Sequence, residues 1–252
     1  MKKISLVVNT ISKNRDVWPM FFGQLKEYID PALFYKKYLF VDAVEEGIIP
    51  EDFEVVTYNQ DKLYREQFVS CISAVEEEYC VYISEDYILY DSVRTDLILQ
   101  YADTLNENLN LSFIRFMKGG VVDRDFPLYS NYPNLHQMHH SLPYFYTNQA
   151  ALWRTRDLEK IHVHGPNLHI ANKDWENSFE YRATKTCQEL DIQGAYCYHG
   201  EPKRGLYHYD TVVFPHISTA LVKGKWNISD YPDKMKTLIK KYDINTDIRG
   251  VY

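Results

Sequence analysis

The segment Tyr79–Asp91, YCVYISEDYILYD, constrains the fold more than any other part of the chain. The run Tyr79–Ile83 is apolar, β-favouring and free of breakers, so it reads as a buried strand. It stops abruptly at Ser84, Glu85 and Asp86. Two carboxylates at the tip of a buried strand are costly unless something pairs with them, and a divalent cation is one such partner. The tip of a strand in an open α/β sheet is also where ligands bind. A solvated acidic turn is the alternative reading.

The surrounding sequence alternates between strand and helix patterns. Ile4–Val8 reads as a buried strand ending at Asn9 and Thr10. Val17–Ile29 carries Val17, Phe21, Phe22, Leu25 and Tyr28 at helical spacing, with Pro19 suited to a first turn. Tyr38–Val41 is a second strand, ending at Asp42, and Phe53–Tyr58 a third. Asp61–Glu78 reads as a helix, then comes the acidic strand. Ser92–Asn106 predicts a helix and Leu111–Met117 a strand. This order predicts an α/β fold, a mostly parallel central sheet flanked by helices. Residues 118–143 are long, turn-rich and aromatic, a kind of stretch that is usually functional or mobile in a compact domain. Beyond it, Tyr144–Tyr146 reads as a short strand and Arg156–Ile161 as a helix. Trp175–Leu190 reads as a helix with Asp174 as its N-cap and Gly194 as its stop. Ala195–Tyr198 follows as a strand, and Pro232–Tyr242 as a final helix. There is no internal repeat, so the chain reads as a single domain, 1–252, with an elaborated C-terminal half.

Composition narrows the partners. The net charge is -7, and no basic stripe is available to neutralise phosphates, which argues against nucleic acid. Tyrosine is abundant, 22 of 252 residues, and its ring and hydroxyl suit sugar-binding surfaces. Cys71, Cys80, Cys187 and Cys197 form no CxxC pair, which makes zinc or a disulfide framework improbable. The start, MKKISLVVNT, reads as a first strand and not a signal peptide. No segment approaches the roughly 20 apolar residues of a membrane span. The expected location is cytoplasmic, with peripheral association at the inner face of the membrane left open.

Three stretches together resemble nucleotide-sugar glycosyltransferases of the GT-A fold. The first is the pair of strands ending at Thr10 and Asp42, positions that in this family hold the nucleoside base and ribose. The second is YISEDY: the family's Asp-x-Asp motif ends a buried strand and binds a metal-bridged diphosphate. Asp86 matches that motif, and Ser84 and Glu85 replace its first part, with Glu85 as the substitute carboxylate. The third is YTNQAALWRTRDLEKI followed by NKDWENSFEYRAT, which resembles the acceptor-side half. The family's catalytic base sits at the acidic helix start there, which implies Asp174, Glu180 or Glu176, in that order of preference. HISTALVKGKW, residues 216–226, resembles a C-terminal element that closes over the diphosphate and makes His216 a metal or phosphate contact. Arg65 is a phosphate contact or a surface helix charge.

The resemblance implies a single GT-A-like, Rossmann-like domain, with 1–117 as the nucleotide-binding half and 118–252 as the acceptor half and tail. It implies a UDP-linked donor, a divalent metal (Mn or Mg) at Asp86, and a carbohydrate or lipid-linked acceptor in surface glycan or polysaccharide biosynthesis. The chemistry has its own logic. A departing diphosphate needs a metal or fixed cations, for which Lys223, Lys225 and Arg204 are available. The incoming hydroxyl needs a carboxylate base. Arg115 interrupts the strand LSFIRFM and needs a partner, expected at Asp86 or Glu85. Two alternatives remain: nucleotidyl transfer, against which the glycine-free loop SKNRDVW counts, and a non-catalytic carbohydrate- or nucleotide-binding protein.

Overall fold

The computed structural model describes residues 2–44, 47–120, 125–129, 132–168 and 178–252. In chain order it opens with β1 (Ile4–Asn9), α1 (Trp18–Tyr28), β2 (Lys36–Val41), β3 (Phe53–Thr57), α2 (Tyr64–Ile72), β4 (Tyr79–Ser84) and β5 (Ile88–Leu89). Next come α3 (Thr95–Glu107), β6 (Leu111–Arg115), β7 (Leu135–Met138), β8 (Ala151–Arg154) and α4 (Thr155–His164). The last third holds α5 (Phe179–Glu189), β9 (Gln193–Cys197) and the hairpin of β10 (Lys203–Arg204) and β11 (His208–Tyr209). It closes with β12 (His216–Ile217), the hairpin of β13 (Leu221–Val222) and β14 (Lys225–Trp226), and α6 (Pro232–Lys241).

Eight strands form one sheet in the order β3-β2-β1-β4-β8-β6-β9-β7. β3, β2, β1 and β4 are parallel. β8 is antiparallel to both of its neighbours, β9 returns parallel to β6, and β7 closes the edge antiparallel. Strand alternation explains why both faces are covered. In β1, β2 and β4 the residues Leu6, Val8, Leu39, Val41, Val81 and Ile83 enter one core with α1 and α3. Val7, Tyr38, Phe40, Cys80 and Tyr82 point the other way, into a second core with α2, α4 and α5. Burial of each large apolar side chain contributes about 1.5–3 kcal/mol.

Some elements depart from the sequence reading for identifiable reasons. α2 is shorter than Asp61–Glu78. At its start the Asn59 side chain accepts from the Asp61 N–H and makes a turn. Towards its end Ser70 and Ser73 hydroxyls bond back to carbonyls three residues earlier, which competes with helix continuation. Ser178, not Asp174, is the N-cap of α5, its hydroxyl accepting from the Tyr181 N–H at 3.3 Å. Gly194 lies inside β9, where a Cβ would stand 2.3 Å from the Phe113 ring, so it serves close packing and not helix termination. Tyr144–Tyr146 is not a strand, whereas Leu135–Met138, inside the apparent loop, is. All four cysteines are buried and free. Among the described residues no helix is long and apolar enough to cross a membrane.

Candidate functional site

The tips of β2, β1 and β4 lie side by side at one edge of the sheet, and the loop 10–16 runs across them. Thr10 is buried; its hydroxyl accepts from the Trp18 indole N–H at 2.9 Å, and its carbonyl accepts from the Tyr58 hydroxyl at 2.8 Å. Asp42 accepts from the Ser12 N–H, the Ser12 hydroxyl and the Gln60 amide, each at 2.6 Å. Thr10 and Asp42 are thus brought together as the sequence implied. For a nucleotide donor seated on these strand tips, Asp42→Ala should raise KM with kcat little changed, since it would remove binding shared by ground state and transition state. Steady-state kinetics with an unchanged donor KM would remove Asp42 from the site.

Glu85 and Asp86 follow β4 directly. Glu85 is buried and accepts a short hydrogen bond from the Asn14 amide. Burial pushes its carboxyl up, while the Asn14 bond, Arg249 and the Thr10 hydroxyl hold it back. Asp86 is half-buried; desolvation and the neighbouring Glu85 charge push it well above the usual carboxylate range. Two crowded acids that resist joint ionisation are a donor set suited to a hard divalent cation, which takes one or two protein carboxylates and completes its shell on phosphate and water. Among the described residues no three His, Cys, Asp or Glu side chains converge as a metal cluster, so His216 does not join the acidic pair in one. His216 is buried beside Tyr87, with ring centroids 5.2 Å apart. Its Nδ1 bonds the Phe214 carbonyl at 2.6 Å, its Nε2 has no partner among the described residues, and burial lowers its pKa to about 4.

The C-terminal segment contributes a group that the sequence reading missed. Arg249 forks onto Asp16, donates to the Asn14 side-chain oxygen at 2.9 Å, and reaches the Gly224 carbonyl at 3.4 Å. Asn14 in turn holds Glu85, so the tail, the β13–β14 turn and the loop 12–16 form one network around the acidic pair. Lys223 and Lys225 are exposed on that turn. Arg204 sits elsewhere, bonded to Asp210 at 2.9 Å. Arg65 donates to the Gly165 carbonyl at 3.2 Å, a link between α2 and the end of α4.

Further along the same edge, beyond β8, lies a cavity of about 290 Å³. Its walls include Arg115, Gly119, Tyr144, Glu180, Tyr196 and Tyr207. Glu180 stands in the first turn of α5 and accepts from the Asn148 N–H at 2.8 Å. Burial raises its pKa, opposed by the Asn148 bond and the Arg115 charge. Asp174 and Glu176 lie outside the described residues. Arg115 is not paired with Asp86 or Glu85: its Nη2 donates to the carbonyls of Tyr144 at 3.0 Å and Phe145 at 2.7 Å, and Glu180 is its nearby carboxylate. The buried Tyr87 joins the two regions; after desolvation, the charges of Asp86, Glu180 and Glu85 all push its phenol up. This edge of the sheet therefore carries an acidic pair, a carboxylate whose pKa burial raises and an aromatic-lined cavity.

No protein-family model matches the chain, and no curated protein matches its sequence. Among solved structures it is similar to S. aureus TarS 1–349 in complex with UDP-GlcNAc, with a TM-score of 0.50 and 14% identity over 97% of this chain and 67% of that one. The complex of TarS 1–349 with UDP gives 0.50 and 13% over 97% and 66%. A longer TarS structure gives 0.50 and 13% over 95% of this chain and 39% of that chain. The chain thus spans about two thirds of the shorter TarS structures and well under half of the longer one. At this identity the likeness concerns the fold, and on that ground the chain has a GT-A-like α/β fold, the one it shares with the glycosyltransferase TarS.

Proposed function

We propose that the protein is a glycosyltransferase that moves a sugar from a nucleoside diphosphate, UDP by preference, to an acceptor hydroxyl. The observation that carries this reading is Glu180, a carboxylate with raised pKa on the wall of a ring-sized cavity, at the same sheet edge as the Glu85–Asp86 pair. The TarS complexes with UDP and UDP-GlcNAc support the choice of donor. Asp42, Thr10 and the loop 12–16 form the floor for the nucleoside. Asp86, with Glu85, would hold Mn or Mg, which when bound neutralises charge on the leaving diphosphate. Lys223 and Lys225 supply further positive charge from the β13–β14 turn. Glu180 takes the proton of the acceptor hydroxyl as its oxygen bonds to the anomeric carbon and the bond from that carbon to the diphosphate breaks. A base whose pKa is raised by burial suits that step.

Thermal unfolding with UDP, GDP and CMP, each with and without manganese, tests this directly. UDP at about 100 times its Kd should stabilise the fold by about 2.7 kcal/mol, and slow hydrolysis of a UDP-sugar should accompany it. Stabilisation without any turnover would favour a binding protein of the same fold, and no response to any nucleotide would overturn the proposal.

A further inference from the structure

Among the described residues two arginines are almost fully buried, and they are satisfied very differently. Arg154 is 2% exposed and donates through all three guanidinium nitrogens, to the carbonyls of Leu111, Leu105 and Asn108, to Glu78 and to the Tyr79 hydroxyl. It is a structural staple between β8 and the end of α3. Arg115 is 5% exposed, and its acceptors among the described residues, the carbonyls of Tyr144 and Phe145, both engage Nη2. Nε and Nη1 have no hydrogen-bond partner among the described residues. Nη1 borders Gly119, whose Cβ position would lie 3.7 Å from it, and both residues line the cavity.

We infer that the cavity is an acceptor subsite for a single hydroxylated ring carrying one anionic group, a carboxylate or a phosphate, received by the free edge of the Arg115 guanidinium. This deepens the preceding reading and rests on it for naming the ring as the acceptor's. The Nε and Nη1 edge of the Arg115 guanidinium is not sealed off from the cavity it lines, and a carboxylate or phosphate matches its planar fork. Burial lowers the Arg115 pKa to about 10, opposed by the nearby Glu180 charge. Glu180 is itself engaged by the Asn148 N–H, so its carboxylate is not given over to Arg115 alone. The cavity volume, about 290 Å³, lies at the lower end of the roughly 300–1,000 Å³ usual for ligand sites, which suits one ring rather than a nucleotide sugar. Tyr144, Tyr196, Tyr207 and Phe126 offer faces and edges for its apolar C–H surface.

Saturation-transfer NMR titrations of the nucleotide-free protein with glucose, glucuronate, glucose 6-phosphate and inorganic phosphate test the inference. Glucuronate or glucose 6-phosphate should bind at least tenfold more tightly than glucose, and inorganic phosphate more weakly than either. UDP should leave that binding intact. Arg115→Met should abolish the preference. Because Arg115 also holds the Tyr144 and Phe145 carbonyls, Gly119→Ala is the second variant: its methyl makes an ordinary contact with Nη1 and leaves the Nη2 bonds alone, so thermal stability should be kept and the preference lost. Equal binding of glucose and its anionic relatives would overturn the inference, as would inorganic phosphate binding as well as the sugar phosphate. Displacement of glucuronate by UDP-glucuronate but not by UDP would overturn the acceptor assignment. None of the free-sugar titrations needs a nucleotide, so they stand or fall separately from the thermal-shift test with UDP.

Discussion

Glu180→Gln lowers kcat and kcat/KM together, by about 100-fold or more, since a base acts on the acceptor proton only in the transition state. The substitution is nearly isosteric, and the new side-chain oxygen can still accept from the Asn148 N–H, so α5 keeps its first turn. Burial disfavours the charged carboxylate, so the melting temperature should be unchanged or higher. A variant that turns over at the wild-type rate would move the base elsewhere, to Asp174 or Glu176 in the segment preceding α5. A variant that loses activity only by losing stability would make Glu180 a structural residue.

Asp86→Asn abolishes measurable transfer and at the same time stabilises the ligand-free protein at neutral pH. Asp86 titrates above its unfolded value because of desolvation and the adjacent Glu85. Between those two values the folded state binds more protons than the unfolded one, so stability falls as pH rises through that window. Replacing the acid by an amide removes the effect. For a chain of this size each 1 kcal/mol regained raises Tm by about 2–4 °C. The difference between variant and wild type should shrink as the pH is lowered toward the ordinary carboxylate range, and it should reverse when metal and UDP are added. Melting curves across pH with a chelator present provide the check; a variant less stable than wild type at neutral pH would mean that Asp86 makes a structural interaction in its ionised form.

Much of the first half of the sheet was legible because the physics there is local. A breaker-free apolar run followed by acids, as in Tyr79–Asp86, can only be a buried strand with an unusual tip, and Thr10 and Asp42 end their strands in the same way. The second half of the sheet was less legible. β7 and β8 are four residues each, too short for two-fold periodicity to stand out, and β7 runs through a stretch rich in histidine. The partner of Arg115 was misjudged because the carbonyls of Tyr144 and Phe145 approach it only after the chain has turned back. Arg249 gave no signal at all, being more than 160 residues from Glu85 in sequence. One trace of the cavity was present in the pair Gly119–Gly120: a Cβ on Gly120 would stand 2.6 Å from the Tyr207 backbone, so this crossing of two loops admits only glycine.

The position of β8 has a consequence for how the molecule is made. β4 and β6 come from the first 117 residues, yet they never touch as neighbours; β8, residues 151–154, lies between them and runs the other way. As the chain leaves the ribosome, the β4 edge stays open until the intervening strand arrives, and β9 must then add to the far side of β6. An N-terminal fragment ending near residue 117 would carry an unpaired hydrophobic edge, a template for association with other chains. Synthesis at about 5–20 residues per second leaves that edge bare for seconds. The nascent protein should therefore depend on chaperones more than its size suggests, and fragments cut between β6 and β8 should aggregate instead of folding alone.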